Sequence, residues 1–215
     1  MVNILCQKPS ALSTYMSQIR DREVQRDSMR FRLNLERIGA LFAYEISKTL
    51  AYQEHEVETP LGLAHVDRLA DGLVLATILR AGLPMHQGML SVFDSAENAF
   101  ISAFRKYAKS GKFHVQFEYL AAPEVEGKVV ILTDPMLATG SSMVLSHKAL
   151  RERGEPKHTH LVSAIASREG IEYLLKHLPN DRITIWTGQV DDELTVKGYI
   201  VPGLGDAGDL AYGQK

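Results

Sequence analysis

The stretch "KVVILTDPMLATGSSMVLSHKAL", Lys128–Leu150, joins a continuous apolar run to a helical pattern through ten residues, Thr133–Ser142. The run is too short for a helix and carries no polar alternation, so it reads as a strand covered on both faces. The same texture recurs after residue 72. "GLVLATIL", "AFISAF", "THLVSAIA" and "RITIWT" are further apolar runs, and "GLPMHQGML" and "EGIEYLLKHL" are further helices. Buried strands alternating with helices predict an α/β fold whose mostly parallel sheet is flanked by helices. In such sheets ligands bind at the carboxyl ends of the strands, which is where Thr133–Ser142 falls.

The flanking sequence is different. Apolar residues at Leu12, Tyr15, Met16 and Ile19, after Pro9 and Ser10, predict a first helix. Phe31, Leu35, Ile38, Leu41, Phe42 and Ile46 predict a second. "HEVETPLGLAHV" reads as a β-hairpin arm about a Pro-Leu-Gly turn. "HVQFEYL" alternates, with Val115, Phe117 and Tyr119 on one face, and predicts a half-exposed strand. The glycine-rich end "GYIVPGLGDAGDLAYGQK" reads as more loop than core. We therefore expect one domain over 1–215, with N-terminal helices and the hairpin over 1–70, a sheet core over 71–190 and a C-terminal hood over 191–215.

Bulk numbers narrow the function. At 215 residues, 45% hydrophobic and 23% charged, the chain is an ordinary globular domain. A net charge of −2 gives no global field for nucleic acid. The single cysteine, Cys6, excludes an internal disulfide and a cysteine-rich metal site. The N-terminus does not read as a signal peptide, and no apolar run approaches the roughly eighteen residues that span a bilayer. The expectation is a cytoplasmic protein without membrane partners.

Within the opening stretch, Ala138, Thr139, Gly140, Ser141 and Ser142 lead straight into a helix. The first N–H groups of a helix lack internal partners and lie at its positive end, so small residues there let a phosphate approach. Asp134 repels phosphate but accepts hydrogen bonds from vicinal hydroxyls, so a phosphorylated sugar accounts for both halves. An ordinary capped junction also accounts for the serines. No Walker-type loop and no dinucleotide fingerprint is present.

Two further stretches carry charge. In "ILRAGLP", Arg80 ends an apolar strand and is either a phosphate fork or a surface charge with a carboxylate partner. "FRKYAKSGK" gathers Arg105, Lys106, Lys109 and Lys112, either a lid over an anion or a solvated run. His158 and His160 share a strand face, but no further ligand at metal spacing accompanies them, so they read as surface histidines.

Three of these pieces together resemble the type I phosphoribosyltransferases, in the variant found in uracil phosphoribosyltransferases. "LTDPMLATGSS" resembles the phosphoribosyl diphosphate (PRPP) signature, "ILRAG" the pyrophosphate loop and "GYIVPGLGDAGD" the uracil-binding tail. The resemblance implies PRPP contacts at Arg80, Arg105, Asp134, Pro135, Met136, Leu137, Ala138, Thr139, Gly140, Ser141, Ser142 and Asp206. It implies uracil contacts at Ile200, Gly205, Asp206 and Ala207, with Arg80, Arg105 and Asp206 as the catalytic set. It also implies an unusual backbone at the Arg80 loop, magnesium arriving with the PRPP diphosphate, and a homodimer or higher homo-oligomer. The expected reaction joins uracil to the phosphoribosyl group, giving UMP and diphosphate. A transferase for another base, and a pyrimidine-operon RNA-binding regulator on the same fold, are the alternatives. The family usually has a second glycine after the threonine, where this chain has Ser141, and acids where this chain has the basic 105–112 loop.

Overall fold

A computed structural model describes residues 1–107, 113–178 and 182–214, with the backbone course alone for 103–107 and 113–118. A short strand, β1 (Val2–Ile4), precedes α1 (Ala11–Arg20) and α2 (Ser28–Ser47). The α1 start is a capping box in which Ser10 and Ser13 exchange side-chain and backbone hydrogen bonds, and Asp27 caps α2 by accepting from the Arg30 N–H. The hairpin follows as β2 (Tyr52–Thr59) and β3 (Gly62–Leu69), which pair only with each other and stand largely in solvent.

The core alternates thereafter: β4 (Leu73–Leu79), α3 (Leu83–Leu90), β5 (Glu97–Tyr107), β6 (Phe113–Ala121), β7 (Val129–Thr133), β8 (Met136–Leu137), α4 (Ser141–Arg151), β9 (His158–Ser167), α5 (Arg168–His177) and β10 (Ile183–Asp191). The tail adds β11 (Glu193–Leu194), β12 (Ile200–Val201) and α6 (Ala207–Tyr212). The main sheet runs β1-β10-β9-β7-β4-β5-β6, and the pairing is parallel except between β5 and β6. The expected sheet is thus observed, with β1 as an edge too short to stand out in the sequence.

Each face of the sheet buries its own cluster. Leu73, Leu75, Val129, Ile131 and Val162 face α1, α2 and α3, while Val74, Ala76, Val130, Leu132 and Leu161 face α4 and α5. Successive residues of β4, β7 and β9 thus go to opposite layers, and this is why those strands read as unbroken apolar runs.

One expectation gains a detail and one needs correction. The tail is more loop than core, yet Ile200, Leu204, Ala207 and Ala211 are buried in the first cluster. Glycines at 203 and 205 turn the chain between them, so its apolar residues reach the core without a helical or strand period. His160 is not at the surface. It is 2% exposed, and the Trp186 indole donates to its Nδ1 at 3.0 Å. His158 lies beside it on the same face, its ring tilted by 56° with centroids 4.8 Å apart. Of the alternating strand, Tyr119, grouped with Val115 and Phe117 on one face, is exposed; the side chains of Val115 and Phe117 lie outside the described residues.

Candidate active site

Chain direction builds the site. β7 ends at Thr133, and the backbone leaves the sheet for Asp134 and Pro135 before rejoining β9 as β8. The Pro135 carbonyl accepts from the N–H groups of both Ala164 and Ile165, so the excursion is pinned to the neighbouring strand. The Asp134 N–H donates to the Val162 carbonyl at 3.0 Å, and its Oδ1 accepts from the Met136 N–H at 3.2 Å. The loop then passes Ala138 and enters α4 at Gly140, whose φ of +77° suits glycine. No side chain caps α4 and its first turn carries no acid, so its opening N–H groups face the cavity side uncountered.

A cavity of about 380 Å³ lies against this loop. Its walls come from residues 78–81 at the end of β4, from residues 134, 136–140, 142 and 143, and from residues 198, 199 and 205–208 of the tail. Three segments separated by more than fifty residues each time therefore share one volume. Ser167 supports the loop from below: its Oγ donates to the Ala138 carbonyl at 2.5 Å and accepts from the Gly170 N–H at 2.8 Å. The fit is close, since a Cβ on Gly170 would stand 2.3 Å from the Ala138 carbonyl oxygen.

Arg80 faces the tail. Its Nη2 donates to the Gly213 carbonyl at 3.1 Å and lies 3.5 Å from Asp209 Oδ1. Its Nε is buried with no partner among the described residues, an unmet donor at the cavity wall. The carboxylate partner of one reading is thus present, and it belongs to the tail. The Leu79–Arg80 peptide is cis, the unusual backbone expected of this loop. Asp206 caps α6, accepting from the Asp209 N–H at 3.0 Å, and lines the cavity.

Most of the expected site residues are therefore brought together. Arg80, Asp134, Met136–Gly140, Ser142, Gly205, Asp206 and Ala207 line the cavity. Pro135, Ser141 and Ile200 do not: Pro135 and Ile200 are buried behind it, and the Ser141 hydroxyl meets that of Thr139 at 3.2 Å. The Arg105 side chain and the basic loop through Lys112 lie outside the described residues. Sequence reasoning assigned no role to Met143, Tyr199 or Gly208. Tyr199 and Gly208 fall inside the quoted tail, whereas Met143 reads as an ordinary core position of α4. Among the described residues no cluster of three or more His, Cys, Asp or Glu is arranged to hold a metal.

A model of the family described as uracil phosphoribosyltransferase matches residues 6–214. The chain is 52% identical over 206 residues to a uracil phosphoribosyltransferase of Porphyromonas gingivalis, covering 96% of this chain and 95% of that protein. It is 42% identical to one from Methanothermobacter thermautotrophicus, covering 87% of this chain and 86% of that protein. Among solved structures, the AQ2163 protein from Aquifex aeolicus superposes with a TM-score of 0.87 at 31% identity, over 99% of this chain and 98% of that one.

Proposed function

The chain belongs to the uracil phosphoribosyltransferase family, and from that premise we propose how its cavity divides the work of the transfer. The reaction takes the phosphoribosyl group from 5-phosphoribosyl 1-diphosphate to uracil and releases UMP and diphosphate. The bond from C1 of the ribose to the diphosphate oxygen breaks, and a bond from C1 to the uracil ring nitrogen forms. The observation that carries the reading is the single cavity shared by Arg80, the 134–142 loop and the 205–208 tail.

The 5′-phosphate sits against the opening N–H groups of α4, where Thr139 and Ser142 add hydroxyls. Asp134 accepts from the ribose hydroxyls. Arg80 meets the diphosphate, whose negative charge grows as it departs, so a fixed cation there favours the transition state over the bound substrate. Arg105 belongs to the same proposal. Gly205, Asp206 and Ala207 hold uracil, chiefly through backbone groups, with Ile200 packed behind them. Uracil presents acceptor, donor and acceptor along one edge. Cytosine's amino group would turn a donor toward a donor, a mismatch that is costly when buried.

Asp134 and Asp206, the two carboxylates that line the cavity, are the residues that would stand beside a magnesium ion brought in by the diphosphate. The ion would neutralise diphosphate charge; this chain's residues orient the two substrates in line. Our reading also includes one functional domain, a cytoplasmic location, and a homodimer that uses the exposed hairpin. Leu61 and Leu63 there are 99% and 66% exposed, more apolar surface than an isolated arm leaves in water. Light scattering of the intact protein, with Leu61→Asp and Leu63→Asp as the control, tests the assembly.

The decisive assay is diphosphate release by purified enzyme with magnesium and PRPP over a panel of bases. Turnover with uracil far above cytosine and the purines supports the reading; turnover of a purine alone, or of no base, overturns it.

A further inference from the structure

Asp191 closes β10 and is 8% exposed. Arg20, the last residue of α1, donates from Nη2 to Asp191 Oδ1 at 3.1 Å and Oδ2 at 2.9 Å. Its Nη1 donates to Gln189 Oε1 at 2.7 Å, so the guanidinium bridges two residues on one face of β10. The Gly203 N–H donates to the same Asp191 Oδ2 at 2.8 Å. The carboxylate therefore joins the first long helix to the C-terminal tail, across 171 residues on one side and 12 on the other.

Gly203 is where the tail doubles back. Its φ is +56°, and a Cβ there would stand 2.2 Å from the Ile200 carbonyl oxygen. Ile200 precedes this turn and Gly205, Asp206 and Ala207 follow it. Base readout by backbone groups depends on main-chain dihedrals, so a small error in the turn displaces every donor and acceptor beyond it. No rotamer change can correct that. The PRPP loop is held by other contacts, through Ser167 and the Pro135 carbonyl.

We infer that Arg20 and Asp191 are a positioning pair that presets the uracil-binding turn through the Gly203 N–H. Neither side chain lines the cavity, so both act at one remove from the base. Arg20 is needed because a carboxylate this enclosed is costly without a hydrogen-bonded cation. The inference rests on the proposed placement of uracil against residues 200–207.

Steady-state kinetics of the full-length enzyme test it, with uracil and PRPP varied in turn and a thermal melt for every variant. Asp191→Ala is expected to raise the uracil KM about tenfold while the PRPP KM moves less than about twofold. Asp191→Asn keeps an acceptor for Gly203 and loses the charge facing Arg20, so it falls between. Arg20→Lys, which cannot bridge Gln189 and Asp191 together, also falls between. If Asp191→Ala does not fold, the two milder variants read the same ratio. A merely structural pair would lower the amount of active enzyme and leave both KM values alone; that result, or an equal rise in both, overturns the inference. Gly205→Val serves as the control, because it forces the main chain at the proposed base site away from its φ of +94°. An unchanged uracil KM there overturns the placement of uracil itself, and the inference with it. A raised value there beside unchanged values in the Asp191 and Arg20 variants overturns the inference alone.

Discussion

Ser167 and Asp191 are register partners across the carboxyl ends of β9 and β10, and each holds a different half of the cavity. Ser167 carries the Ala138 carbonyl of the 134–142 loop, and Asp191 carries the Gly203 N–H of the tail. Adjacent strands stand about 4.8 Å apart. The sheet thus sets the spacing between the 134–142 loop and the tail, the proposed sugar-phosphate grip and base pocket, with a single step of its ladder. In the proposed reading, two substrates that must meet at one carbon are referred to one rigid element.

Ser167→Ala should separate the two halves. It removes the N-cap of α5 and the support under Ala138 together, a loss of about 1–2 kcal/mol in unfolding free energy. The PRPP KM should rise several-fold with the uracil KM nearly unchanged, the mirror of Asp191→Ala. Denaturant titration and two-substrate kinetics on the same preparation check both parts.

Arg80→Ala should lower kcat/KM for PRPP about a hundredfold or more, because in the proposed reading it removes a fixed cation from the leaving group. Arg80→Lys keeps the charge without the planar fork and should fall between. Asp206→Ala should also lose most turnover while remaining folded. Since Asp206 caps α6, about 1 kcal/mol of stability goes with it. Asp206→Asn restores the cap and should recover the stability without recovering the rate. Paired melting and initial-rate measurements separate the two effects.

Much of this arrangement was legible in the residues. β4, β7, β9 and β10 stood out because both faces are covered, and the start of α4 because small residues crowd into a helix start. The tail's burial was not legible: Ile200, Leu204, Ala207 and Ala211 follow no period, since glycine turns set their direction. His160 looked superficial because its partner, the Trp186 indole, is on the next strand. The Arg20–Asp191 pair was hidden for the same reason, since an arginine ending an amphipathic helix reads as solvated until the fold brings Asp191 to it.

Acid should weaken the fold through two buried histidines. Burial, with the His158 charge adding to it and Asp71 opposing, holds His160 down at about 3. Burial and then Arg151 hold His147 at about 4, and neither of its ring nitrogens has a partner among the described residues. The unfolded chain protonates both near the ordinary histidine value of about 6.5. Their neutral forms therefore contribute fully above that pH, and the contribution is lost as pH falls toward 4 and then 3. By pH 5 the two together should cost about 4 kcal/mol. Urea unfolding between pH 7.5 and 5 should show the slope, and His147→Gln, which does not titrate, should flatten it. A pH-independent midpoint would exclude this account.

Ser141 departs from the glycine usual in the family, and its position decides what that costs. It is the first residue of α4, and it does not line the cavity, so its Cβ does not narrow the phosphate cradle. Its hydroxyl meets Thr139 Oγ1 at 3.2 Å, while Thr139 itself lines the wall. Serine at this position orients the threonine and stiffens the helix start, where glycine would add backbone freedom. Ser141→Gly should therefore lower unfolding free energy by about 0.5–1 kcal/mol and change the PRPP KM by less than about threefold. Thr139→Val, which removes a hydroxyl from the proposed phosphate site, should raise that KM by about tenfold. The comparison is internal to one hydrogen-bonded pair: a large kinetic effect at Ser141 with none at Thr139 would reverse the two roles.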